Sequence, residues 1–290
     1  MTDTLPSLQK QLPERNLEIL KLVVTSAGEL DIPIFIVGAT ARDIILGHVY
    51  NVRIRRATED IDFGIAVESW EQYERLKQIL VENGKFRADR KATHRLWHGS
   101  KTDEMKIDFV PYGGVESPAG QIAFPPDNNF VMNISGFAEA YENSLIVNIT
   151  DDLQIRVVSL AGLAVLKFIA YNDKPHERRR DLEDILFLMK NYLEAGNEDR
   201  LYEDADLMAD DSFDLRTVGA RLLGRDMTKL LTSQTEEIIS RHLSENNEGV
   251  GLANIIDAIK SSEKRLEDNF EDVAQMFREL KKGLAERLTV

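Results

Sequence analysis

Residues 35–47 read FIVGATARDIILG, and this stretch limits the folds open to the chain more than any other. Phe35, Ile36 and Val37 are apolar β-formers suited to a buried strand, whereas residues 40–46 carry apolar side chains at helical spacing. The chain must turn sharply at Gly38, where the missing side chain permits backbone angles that other residues avoid and lets a ligand approach the main chain. A strand, a small-residue turn and a helix start leave backbone N–H groups pointing outward, which suits a phosphate. Alone this is a weak signal, and the surrounding segments give it meaning.

Upstream, residues 16–30 place Leu17, Ile19, Leu20, Leu22, Val23 and Val24 at roughly helical spacing, so a helix is expected to pack on the strand IPIFIVG. Residues 60–67, DIDFGIAV, alternate as a strand does. A helix is predicted from Ser69, with Gln72 placed to complete a capping box and Gly84 to end it. Two antiparallel strands are expected at 95–98 and 105–112, joined by the polar turn GSKTDE, with further short strands between 121 and 149 around PPDNN.

From residue 159 the character changes. LAGLAVLKFIAY is apolar nearly all round, as a buried helix is, and Pro175 lies just beyond its end. Residues 179–192 form an amphipathic pattern with Leu182, Ile185, Leu186 and Met189 on one face, and charged helices follow to the end. The expected architecture is α+β: a mixed β-sheet domain with flanking helices over residues 1–152, then an all-helical C-terminal domain over 153–290. The boundary is placed between 150 and 159.

Composition narrows the chemistry. With 36 basic and 50 acidic residues among 290, the formal net charge is −14, which opposes non-specific adhesion to nucleic acid or anionic membrane. Any polyanion must meet a local basic patch. There is no cysteine, so disulfides and thiolate metal sites are excluded, and oxygen ligands for a hard cation such as magnesium fit best. The polar N-terminus and the lack of a long apolar run give a cytoplasmic protein with no membrane partner as the expectation.

The chemistry centres on Asp60-Ile61-Asp62. Residues two apart on a strand point the same way, so both carboxylates leave one face together. Their repulsion raises a carboxyl pKa unless a cation lies between them, and a divalent metal is the usual remedy. Asp108, between Ile107 and Phe109 on a later strand, is a third acid on a face opposite its apolar neighbours. The plainer reading has Asp60 and Asp62 flanking a turn and Asp108 ion-paired at an edge.

Taken in order, a strand, Gly38-Ala39-Thr40, a helix, Asp-x-Asp and a third aspartate resemble the arrangement in nucleotidyltransferases of the polymerase-β type. The chain is similar to bacterial nucleotidyltransferases related to the AbiEii/AbiGii toxins, also through IDFVPYGGVE, FVMNISGFAEA and SLAGLAVLKFIAYNDKPHERRRDLEDI. A second likeness joins GATARDIILG, with Arg42, to the opening motif of tRNA nucleotidyltransferases and poly(A) polymerases, whose later motifs are missing. The resemblance implies a nucleotidyltransferase-like fold and Mg2+, or Mn2+, on Asp60, Asp62 and Asp108. It implies catalytic roles for Asp60, Asp62, Asp108, Lys167 and Asp184, and nucleotide contacts from Gly38, Ala39, Thr40, Arg42, Lys167 and Asp181. Ala39 stands where relatives carry glycine or serine, so Thr40 is expected to supply the hydroxyl.

The implied reaction moves a nucleoside monophosphate from a nucleoside triphosphate to an acceptor hydroxyl on tRNA or other RNA, a protein or a small molecule. The implied setting is a toxin restrained by an antitoxin protein. An inactive module that only binds nucleotide or a partner is the alternative.

Lys167 lies inside the apolar helix, where its charge must meet an anion or snorkel to the surface. Asp181 and Asp184, neighbours on one helix face, could hold Lys167 structurally or serve catalysis. Arg53, Arg55, Arg56, Arg87, Arg90, Lys91 and Arg95 reverse the sign of the chain locally and could guide triphosphate or RNA, or simply form a solvated face. His94, His98 and His176 lack metal-ligand spacing and read as surface or packing residues.

Overall fold

The structure, a computed structural model, describes residues 4–54, 58, 60–210, 213–245, 250–262 and 269–286. The chain divides into two compact units, Met1–Ser159 and Leu160–Val290.

In the first unit α1 (Glu14–Gly28) buries Ile19, Leu20, Val23 and Ala27, the apolar face its spacing foretells. β1 (Ile34–Val37) runs directly into α2 (Gly38–Arg42). The helix expected over 40–46 does not continue as an α-helix: after Arg42 the chain widens into a π-helical turn over Asp43–Val49. Asp43 is held there by Arg42 Nε and by the Thr58 hydroxyl, at 2.8 and 2.7 Å, and Val52 N–H donates to the Leu46 carbonyl.

β2 (Asp60–Val67) has the bounds its alternation gave, and α3 (Trp70–Glu82) starts at the Ser69 cap, whose hydroxyl accepts from Gln72 N–H. The Gln72 side chain accepts from Glu68 N–H rather than from the cap residue, so the box is displaced by one position. β3 (Phe86–Ala88), β4 (Arg95–Ser100) and β5 (Asp103–Gly113) follow, the last two leaving only Lys101 and Thr102 as the turn. β6 (Gln121–Ala123) and β7 (Val131–Asn133) form a separate two-stranded ribbon. Then come α4 (Phe137–Glu142), where strands were expected, and β8 (Leu145–Thr150) and β9 (Leu153–Val157).

The main sheet has seven strands in the order β3-β4-β5-β2-β1-β9-β8. It is mixed: β1 is antiparallel to β2 and parallel to β9, and β2 is parallel to β5. Since β9 pairs within this sheet, the first unit runs to Ser159, at the far end of the 150–159 window for the boundary and later than residue 152.

Side-chain alternation separates the two faces. Ile61, Phe63 and Ile65 of β2 are buried, with Phe63 stacked on Phe109 of β5 at 5.6 Å. On the other face Gly64 leaves room for the ring of Phe35, into which any Cβ would run. That ring also meets Tyr112, Phe137 and Tyr141 edge-on at 5.9, 6.2 and 5.5 Å, so α4 covers one end of this face. Burying a ring this completely stabilises by roughly 3 kcal/mol.

The second unit is helical: α5 (Leu160–Asp173), α6 (Arg179–Asn191), α7 (Arg200–Glu203), α8 (Ala205–Met208), α9 (Val218–Met227), α10 (Ser233–His242), α11 (Leu252–Ser262) and α12 (Phe270–Ala285). α9 and α12 touch backbone to backbone, because a Cβ on Gly224 would strike the Leu280 carbonyl and one on Gly283 the Arg221 carbonyl. Buried Arg221 and Arg225 both grip Glu286, just past α12, with Arg225 Nε 2.8 Å from Glu286 Oε2. Among the described residues no helix is long and apolar enough to cross a membrane.

Candidate active site

The acids converge as strand geometry requires. In the parallel β2–β5 pair Asp62 lies directly across from Asp108, and Asp60 across from Lys106. Partners at equal register share a face, so Asp60, Asp62 and Asp108 emerge on one side, about 5 Å apart from strand to strand. Ile61, Ile107 and Phe109 between them are buried on the other.

Gly38 closes this site from the next strand. Val37 pairs with Asp62, so the turn after β1 arrives beside that carboxylate. Gly38 adopts φ +68°, the left-handed region open to glycine, and a Cβ there would run into Asp62 Oδ2. The first turn of α2 has no side-chain cap. Its first residue, Gly38, lies against Asp62.

Two residues of the expected nucleotide contacts have other duties. Thr40 is buried, and its hydroxyl donates to the Asp60 carbonyl at 2.6 Å, which fixes α2 against β2. Arg42 is also buried, its guanidinium bonded to Asp43 at 2.8 Å through Nε. The hydroxyl assigned to phosphate in place of the residue at Ala39 is therefore spent on the backbone.

The mutual repulsion foreseen for the carboxylates is met here by side-chain cations. Arg95 of β4 binds Asp108 through two hydrogen bonds, Nε to Oδ1 at 2.7 Å and the terminal nitrogen to Oδ2 at 2.9 Å. Lys106 Nζ lies 2.5 Å from Asp60 Oδ2. The hydrogen bond to Asp108 raises the Arg95 pKa further, against its burial. Among the described residues no group of three or more histidine or acid side chains already stands in a metal-holding arrangement. As a donor set, carboxylates alone on neighbouring positions of one face fit a hard divalent cation.

Residues beyond the expected set complete the surroundings. His94 Nε2 lies 3.9 Å from Asp108 Oδ2, and burial lowers the His94 pKa, favouring the neutral ring. Arg95 was legible only as part of a basic cluster. Counting back from the Lys101-Thr102 turn puts it opposite Asp108, and Lys106, two residues before Asp108, shares its face by the same period. Of the other basic residues, Arg87 pairs with Glu104 at 2.6 Å. Arg90 and Lys91 are exposed on the β3–β4 turn, while Arg55 and Arg56 lie outside the described residues.

Lys167, Asp181 and Asp184 belong to the second unit, where they meet. Lys167 is 7% exposed, which rules out snorkelling, and its Nζ donates to Asp181 Oδ1 at 2.8 Å and Asp184 Oδ2 at 2.6 Å. Burial opposes the charge, but the two carboxylates outweigh it and the Lys167 pKa is raised. The triad fastens α5 to α6.

Strand carboxylates gathered beside a small-residue turn are equipment for transferring a phosphoryl-containing group. Over residues 22–276 the sequence matches the family described as nucleotidyl transferase AbiEii toxin, Type IV TA system, and the chain belongs to that family of nucleotidyltransferases. No curated protein matches.

Among solved structures, ANT(2″)-Ia in complex with adenylyl-2″-tobramycin is similar at 16% identity and TM-score 0.38, over 67% of this chain and 95% of that one. A tRNA-processing enzyme is similar at 17% identity and TM-score 0.39, over 96% of this chain and 60% of that one. An antigenic nucleotidyltransferase-like protein from Paracoccidioides brasiliensis gives 13% identity and TM-score 0.39, over 69% and 94%. The assignment rests on the family match.

Proposed function

We propose that the chain transfers a nucleoside monophosphate from a nucleoside triphosphate to an acceptor hydroxyl, with Asp60, Asp62 and Asp108 holding divalent metal, Mg2+ or Mn2+. The observation that carries this reading is the register of Asp62 with Asp108 beside Gly38. The acceptor oxygen attacks the α-phosphorus, the bond to the β-phosphate oxygen breaks, pyrophosphate leaves, and the hydroxyl proton passes to Asp108. When bound, the metal supplies positive charge to the phosphate oxygens. Gly38 lets the triphosphate approach the backbone, and the first N–H groups of α2 offer it hydrogen bonds.

Arg95 and Lys106 hold the carboxylates in place while no other cation does. Lys167, Asp181 and Asp184 are read first as the tie between α5 and α6. Asp184→Asn should lower the melting temperature whether or not the triad serves transfer, and any part it takes in transfer would show as a kcat lowered further at a temperature where the variant is still fully folded. In the cell the reading extends to a toxin that a protein antitoxin restrains, acting on RNA such as tRNA.

The test is purified protein with each labelled nucleoside triphosphate, Mg2+ and cellular RNA. Label is expected on RNA, is abolished by a metal chelator, and falls at least about 100-fold in Asp62→Ala. Expression should slow growth, and Asp62→Ala should relieve it. Label on no acceptor, with wild type and variant alike, would overturn the reading in favour of a binding module without turnover.

A further inference from the structure

We propose that Arg95 and Lys106 are positioning residues that compete with the divalent metal for Asp108 and Asp60, so that their release sets how tightly the metal is held. The inference rests on the transferase reading and deepens it: the cations beside the carboxylates regulate the metal site.

The two pairs cover both strands of the site. Arg95, on β4, engages both oxygens of Asp108 on β5, at 2.7 and 2.9 Å, and Lys106, on β5, reaches Asp60 Oδ2 on β2 at 2.5 Å. Register puts each cation there, with Arg95 opposite Asp108 and Lys106 opposite Asp60. A metal ion bound through one of these oxygens, at about 2.1 Å, would stand within about 5 Å of the paired nitrogen. Like charges so close repel, so a carboxylate cannot serve both cations at full strength.

Exposure separates these pairs from the buried tie in the second unit. The side chains of Arg95 and Lys106 are 26% and 28% exposed, whereas that of Lys167 is 9% exposed between Asp181 and Asp184. Lys167 cannot leave its partners without stranding charge in the interior. Arg95 and Lys106 carry their charge on long, flexible side chains that water reaches. Arg95 also has a second place to rest. The carboxylate of Asp89 is fixed by Lys91 N–H, Ala92 N–H and Trp97 Nε1 at 2.7, 2.9 and 2.6 Å, and after Asp108 it acts on the Arg95 charge. The Trp97 ring centre lies 6.0 Å from the guanidinium carbon. A guanidinium freed from Asp108 moves toward these groups, on the β3–β4 side of the site.

The experiment titrates Mn2+ into the full chain without nucleotide and follows free Mn2+ by its electron paramagnetic resonance signal, with the melting temperature taken before and after. Arg95→Ala and Lys106→Ala should each bind Mn2+ about 5-fold more tightly than wild type. Removing a residue that merely held the strands together would do the opposite. Arg95→Lys, which keeps the charge, should bind like wild type, and Asp62→Ala should lose binding. Without metal Arg95→Ala should melt lower than wild type, and saturating Mn2+ should raise its melting temperature by more. Mn2+ affinity in both alanine variants equal to or weaker than that of a wild type that binds overturns the competition alone. A wild type and variants that all bind no Mn2+ overturn the metal reading beneath it.

Discussion

Gly38 shows how much one absent methyl can decide. Its positive φ turns the chain, and the space where a Cβ would stand is filled by Asp62 Oδ2. Gly38→Ala adds backbone strain of about 1–2 kcal/mol and displaces that carboxylate. Transfer should fall about 100-fold, since a displacement near 1 Å at the reacting centre costs about that much, while circular dichroism stays native.

His242 makes a prediction about pH. Burial, with Arg241 adding repulsion, lowers its pKa from 6.5 to about 4. Between those values the unfolded chain binds the proton and the folded chain does not, so stability falls as pH drops from 6.5 to 4 and levels off below. The loss is about 1–2 kcal/mol once solvent screening is allowed for. In His242→Gln the melting temperature should vary less across that window.

At the scale of elements, alternation and apolar spacing made β2, β5, α1, α5 and α6 legible, because burial alone dictates those patterns. They also put Asp60 and Asp62 on one face and Asp108 opposite its apolar neighbours, while the meeting of all three needed the β2–β5 register, which local spacing does not carry. What could not be read came from contacts made elsewhere in the chain. The π-helical turn depends on Asp43 meeting Thr58, and Thr40 loses its hydroxyl to the Asp60 carbonyl, neither visible in local spacing. α4 follows a strand-like stretch, and the tertiary cluster around Phe35 draws Phe137 and Tyr141 onto one face.

The α9–α12 pair carries its own prediction. Arg225 is 2% exposed and Arg221 is buried, and Glu286 answers both. Glu286→Ala leaves their charge to Asp204, Asp206 and Asp210 and should cost about 2–3 kcal/mol, read as a lower urea midpoint.

On the scale of the whole molecule, net charge limits how the proposed RNA acceptor can be met. With a net charge of −14, only local cations such as Arg90 and Lys91 can replace counterions on a strand. The plot of log affinity against log salt should therefore have a shallow slope, about −1.4 for two contacts on a single strand, whereas a broadly basic protein gives far steeper values. Titrating a labelled RNA strand across a series of KCl concentrations measures it.

The placing of β9 also bears on synthesis. β1 lies between β2 and β9, and Val158 N–H reaches the Ile36 carbonyl across a very long stretch of chain. A ribosome that has delivered Asp108 has delivered every carboxylate of the site, yet β1 still shows one bare flank until Leu153–Val157 emerges. Nascent chains halted in that interval hold the three carboxylates on an unsealed scaffold, open to pairing with any stray strand.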